Sequence, residues 1–229
     1  MATRSESLGT ISWRRSKYLL FAVIAVMMAY VINHNERFVI DPAHPVWEHY
    51  QPFKWWLLPH GLAGACALLL APMQFSDRLR RRFPKVHRVV GRIYVASVFF
   101  VVGPIGAYIQ YYQERMGAPR SFTIAAVVDA ILLMSTAAIG LAFILKGKVQ
   151  QHRQWMTRSY AVALVFFEVR LISGVFGLDD KGLAVAELIV WVCLALAIPL
   201  ADVALQIQES FRSPSSTLRH KAPRESASL

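Results

Sequence analysis

Charge and cysteine are both scarce in this chain. Only 17% of its 229 residues are Asp, Glu, Lys or Arg, against about a quarter in soluble globular proteins. The two cysteines, Cys66 and Cys193, lie inside apolar runs and form no CxxC, which excludes a disulfide framework and a zinc knuckle. No stretch alternates well enough to be a barrel strand. A phosphate-binding loop and a nucleophile–base–orienter arrangement are also missing, so hydrolase and kinase chemistry drop out.

Apolar length is abundant. The chain is 55% hydrophobic with a mean hydropathy of +0.40. A helix crosses the hydrocarbon of a bilayer in about 20 apolar residues, and six such runs are read: 18–33, 56–75, 89–112, 122–145, 159–178 and 184–207. They predict an all-α integral membrane protein, a six-transmembrane-helix bundle over 18–208 with helices 2–5 as a four-helix core. Residues 1–17 form a cytoplasmic tail. The first run, "YLLFAVIAVMMAYVI", lacks a small-x-small cleavage signal after it and reads as a retained signal-anchor. The Ser- and Pro-rich end, 209–229, reads as a disordered cytoplasmic tail.

The formal charge of +11 acquires a meaning once it is placed on this topology. Arg14, Arg15 and Lys17 precede the first run, Arg78, Arg80, Arg81, Arg82 and Lys85 separate the second from the third, and Lys146 and Lys148 separate the fourth from the fifth. The other side holds Arg37, Lys54, Arg115, Arg120 and Lys181. Positive loops stay inside, which puts both termini in the cytoplasm and the protein in the cytoplasmic (inner) membrane. The lipid bilayer accounts for the basic residues, and nucleic acid is excluded as a partner.

One motif occurs twice. "KVHRVVGRIY" at 85–94 returns as "QQHRQWMTRSY" at 150–160, aligning His87, Arg88, Arg92 and Tyr94 with His152, Arg153, Arg158 and Tyr160. Both copies open helices that start on the basic side. His87 and His152 are therefore candidate axial ligands of one haem iron, with Arg88, Arg92, Arg153 and Arg158 as propionate partners. The alternative is that His-Arg pairs at helix starts simply meet lipid phosphates.

Intramembrane ionisable groups are costly and usually functional or paired. His60, Asp129, Arg170 and Glu187 all fall toward the opposite side and are expected to line a substrate pocket. Asp129 and Arg170 fit equally a structural ion pair joining helices 4 and 5. His60 lies roughly 25 Å from the basic end of its helix, too far to share a metal with His87 or His152. His60, Gly64, Ala67 and Ala71 share one helical face, suited to tight packing or to a flat cofactor. Gly103-Pro104 predicts a kink in helix 3.

With His60-Gly61, Gln74-Phe75, His87-Arg88, Gly91-Arg92, His152-Arg153, Trp155-Met156, Arg158 and Arg170 in place, the chain resembles the membrane-protein family of domain of unknown function 2306 over about 55–208. It is more loosely similar to ascorbate-reducible cytochrome b and ferric reductase membrane bundles. That second likeness implies haem between histidines on adjacent core helices. Those families carry two His pairs; this chain shows one, and His34, His44 or His49 would have to complete a second from a loop. The expectation is a haem b electron carrier or oxidoreductase subunit working with a quinone or small-molecule reductant. The alternative is a non-enzymatic small-solute carrier or an assembly partner.

Overall fold

A computed structural model of the protein describes residues 21–39, 41–178 and 181–210, and every regular element among them is helical. In chain order these are α1 (Phe21–His34), α2 (Val46–Tyr50), α3 (Lys54–Gln74), α4 (Asp77–Arg82), α5 (Pro84–Ser97), α6 (Gly103–Arg115), α7 (Arg120–Leu145), α8 (Val149–Ala163), α9 (Val165–Val175) and α10 (Leu183–Ser210). Short 3-10 turns, Arg37–Val39 and Gln51–Phe53, flank α2. The tail expected at 1–17 and residues 211–229 of the tail expected at the C-terminus lie outside the described residues.

Four stretches are long and apolar enough to cross a membrane: Val46–Gln74, Pro84–Arg115, Arg120–Leu145 and Leu183–Ser210. Six were expected. The described part of the first run, Phe21–His34, is apolar but shorter. The fifth is divided: α8 begins at Val149, ten residues ahead of the apolar run, and meets α9 at a turn on Leu164. Neither half reaches the length of a span alone. No Pro or Gly marks that turn, so residue type does not betray it.

Short connections make consecutive helices antiparallel neighbours. The C-terminal ends of α3 and α7 therefore share one end of the bundle with the starts of α5 and α8. This is the basic end, carrying Arg78, Arg81, Arg82, Lys85, Lys146 and Lys148. Here α4 bridges α3 and α5: Ser76 caps it by accepting from the Leu79 N–H at 3.3 Å, satisfying one orphan donor of the first turn. Pro84 then starts α5, where its missing N–H costs nothing. Gly147, at φ +71°, turns the chain from α7 into α8 through a conformation that only Gly adopts freely.

Packing gives a four-membered ring. α5 lies against α3, α6 against α7, α7 against α8, and α3 closes the ring on α8, while α10 lies along α7, α8 and α9. α5 and α8 thus stand on a diagonal. Across it the Tyr94 and Ser159 hydroxyls bond at 2.8 Å, and the Tyr160 hydroxyl donates to the Leu68 carbonyl of α3 at 3.3 Å. The core between them contains Val98, Leu133, Ala137, Val162 and Val165, all at most 1% exposed. Ala67 and Ala71 of the small-residue face are buried in it, whereas a Cβ on Gly64 would meet open space. Tight packing accounts for the two alanines and not for the glycine.

The expected irregularity at Gly103-Pro104 takes the form of a π turn over Val98–Val102, with the Gly103 N–H bonded back to the Val98 carbonyl. Pro104 has no N–H to offer the preceding turn, and such π turns recur at functional sites. The outward faces are strongly apolar, with Phe100 77%, Leu62 70% and Leu188 64% exposed. Surface of that kind is stable against hydrocarbon and a liability in water. Trp55 and Trp56 at the start of α3, and Tyr108 and Tyr111 near the end of α6, are exposed at the end opposite the basic one. Amphipathic rings of this type settle at the membrane–water interface.

Candidate functional site

Two polar clusters occupy the two ends of the bundle. At the basic end, His87 sits in the first turn of α5. Gly91 and Tyr94 follow it at i+4 and i+7 on the same face. That face is interior: Tyr94 is 2% exposed, and a Cβ on Gly91 would lie 3.6 Å from the Gln74 side-chain oxygen of α3. Nδ1 of His87 and Nε2 of Gln74 are both buried with no hydrogen-bond partner. Leaving such an atom unpaired costs about 1–3 kcal/mol.

His152 occupies the equivalent turn of α8. Its Nδ1–H donates to the Gly140 carbonyl of α7 at 2.8 Å. That bond selects the tautomer and leaves Nε2 as the free lone pair, the arrangement usual for a metal-ligating imidazole. Gly140 makes it possible. A Cβ there would fall 2.8 Å from the Met156 sulfur and 3.5 Å from Trp155 Cβ, so any larger residue would displace the Met156 side chain at this close approach. His87 and His152 lie within electrostatic reach of each other.

The four arginines of the repeat divide. Arg158 Nε is 2.7 Å from the Asp202 carboxylate of α10, with its guanidinium over Trp155 at 4.8 Å. Arg153 stands 4.0 Å from Asp77, which also holds Arg80 at 2.5 Å. Arg88 Nε donates to the Pro84 carbonyl at 3.4 Å, and Arg92 is exposed on α5. Three of the four expected propionate partners therefore have protein partners of their own.

At the opposite end, His60 projects from α3 onto α6. A Cβ on Gly106 would fall 2.8 Å from His60 Cε1. The His60 ring lies beside the Val101 backbone of the π turn, and its Nδ1 is buried without a partner. Arg170 of α9 pairs with Glu36, and its charge acts on both His60 and Tyr50. The Asp129–Arg170 pair that sequence reasoning allowed is not formed. Glu36, carried on the turn after α1, takes the guanidinium, and Asp129 Oδ1 remains buried and unpaired. Glu187 stands half-buried one turn inside α10. The structure thus brings His60 and Arg170 together and sets Asp129 apart from both.

The loop histidines have local roles. His34 stacks on Tyr30 at 5.3 Å, His44 Nδ1 accepts from the Val46 N–H at 3.3 Å, and His49 packs edge-on against Phe53. Among the described residues no group of three or more His, Cys, Asp or Glu is arranged to hold a metal ion. Sequence reasoning missed Glu36, Gly140, Ser159 and Asp202. Only Ser159 left a signal, since it lies as far beyond Tyr94 as His152 lies beyond His87.

An all-helical bundle with lipid-like outer faces, aromatic rings at one end and a basic cluster at the other defines a multi-pass membrane protein. The chain belongs to the family described as Predicted membrane protein (DUF2306), whose model matches residues 57–205. That stretch includes His60, Gln74, His87, Gly140, His152 and Arg170. No curated protein and no solved structure matches the chain, and the looser likeness to cytochrome b bundles is not shown.

Proposed function

We propose that the protein is a transmembrane electron carrier of the cytoplasmic membrane, holding b-type haem between His87 and His152 at its cytoplasmic end. One observation carries this reading. Two helices on the diagonal of the core each start with a histidine, one with Nδ1 anchored on a backbone carbonyl and the other with a buried ring nitrogen lacking any partner. These donors suit an iron that takes imidazole on both sides. Bound haem would supply a one-electron couple. The protein would supply the two histidine ligands and the exposed guanidinium of Arg92 for a propionate. His60 and Arg170 at the other end would receive a quinone or a small-molecule reductant.

The optical test is direct. Protein purified in detergent after expression with ample haem is expected to show b-type Soret and alpha bands in a reduced-minus-oxidised spectrum. A colourless, folded protein would favour the second reading, a solute carrier or assembly partner without haem. That reading draws on the buried, unpaired His60 and Asp129, and it predicts that Asp129→Asn abolishes function while His87→Ala does not.

Orientation is separately testable. Single cysteines at Lys148 and at Met116, on a background with Cys66 and Cys193 replaced by Ala, should differ completely toward a membrane-impermeant maleimide on intact cells. Met116→Cys labels and Lys148→Cys does not, because Lys148 sits in the basic end that stays inside. The reverse pattern would invert the topology.

A further inference from the structure

Asp129 is used by neither end of the proposed electron path. It lies in the third turn of α7, between the two polar clusters, with Oδ1 buried and no hydrogen-bond partner. No cation of α6, α8 or α10, the helices packed on α7, pairs with it among the described residues, and Arg170 is engaged by Glu36. An isolated carboxylate in such a setting is strongly unfavourable, and the group escapes the cost by taking a proton. A metal cation in its place needs several oxygen ligands, and no group of three such side chains surrounds it among the described residues.

Its surroundings are also chemically matched to a proton. Tyr94 lies within electrostatic reach of Asp129, and its hydroxyl bonds Ser159 at 2.8 Å across the core diagonal. Two hydroxyls sharing one hydrogen bond can each be donor or acceptor, so the pair adapts to a carboxyl that gains or loses its proton. We infer that Asp129 is a proton-binding site in the middle of the bundle, held as the neutral acid, with the Tyr94–Ser159 pair responding to its state. A proton bound there would offset charge arriving in the low-dielectric interior. This site does not depend on haem.

Infrared spectra of the full-length protein at neutral pH decide the matter. Subtracting Asp129→Asn from wild type should reveal one un-ionised carboxyl C=O band, and Tyr94→Phe should move that band. Loss of an ionised carboxylate band instead would overturn the site. A C=O band that Tyr94→Phe leaves unmoved would overturn the coupling to the hydroxyl pair. Should Asp129→Asn fail to fold, the wild-type protein suffices. Dicyclohexylcarbodiimide, which adds to protonated carboxyls, should label the Asp129 peptide and spare Asp77 and Asp202, whose side chains are 43% and 41% exposed. Labelling confined to the exposed acids would again contradict the inference.

Discussion

Either His87→Ala or His152→Ala is expected to lower haem occupancy of the purified protein at least tenfold, measured as bound haem per polypeptide. Each substitution would remove one of the two proposed iron ligands, and tenfold corresponds to about 1.4 kcal/mol. The bundle itself should survive. The Gly140 carbonyl belongs to a regular helix, so losing the His152 bond costs about 1 kcal/mol of stability. His87 has no Nδ1 bond to lose, and its replacement should leave stability unchanged or raise it. Arg153→Ala gives the contrast. Its partner is Asp77 at 4.0 Å, an exposed pair worth about 0–1 kcal/mol, and haem occupancy should stay within about twofold of wild type. If all three variants lost haem alike, general damage to the basic end would be the cause, and the two histidines would have no special role.

Gly140→Val should have the largest effect on the bundle. The first new carbon would lie 2.8 Å from the Met156 sulfur and 3.5 Å from Trp155 Cβ, so the Met156 side chain must move and two further methyls add to the crowding. Overpacking of this kind costs typically about 1–3 kcal/mol. It also pushes α8 off the carbonyl that orients His152, so a lower unfolding temperature in detergent should accompany loss of haem. Gly64→Val is the control. A Cβ there meets nothing within 4 Å, and valine should leave both quantities unchanged apart from a helix-propensity effect of a few tenths of a kcal/mol. Equal damage from both substitutions would mean that the α7–α8 approach is not what Gly140 provides.

Helix order and the four-helix core were legible in the sequence because lipid-facing helices are apolar all round, and apolar runs of that length are rare outside membranes. The break at Leu164 was not. It carries no Pro or Gly, and the helix that precedes it starts in a polar stretch, "VQQHRQW", which hydropathy assigns to a loop. The repeated motif pointed correctly to one end of the bundle. It did not reveal that its two tyrosines differ, Tyr94 bonding a serine hydroxyl across the diagonal and Tyr160 a backbone carbonyl on α3. Pairings between distant segments were least accessible. Glu36 and Arg170 are 134 positions apart, and nothing in either neighbourhood names the other. An Asp129–Arg170 pair is one of two readings that depth in the membrane allows, the other being a substrate pocket. Glu36, on the turn after α1, takes the guanidinium instead.

The proposed haem site requires both His87 and His152 as ligands of one iron. Electron paramagnetic resonance of the oxidised, haem-loaded protein tests this most directly, since two imidazoles on one ferric haem give a low-spin signal. A low-spin spectrum in wild type, replaced in His87→Ala and in His152→Ala by high-spin signal or by none, is the predicted result. A low-spin spectrum that persists in either variant would contradict it.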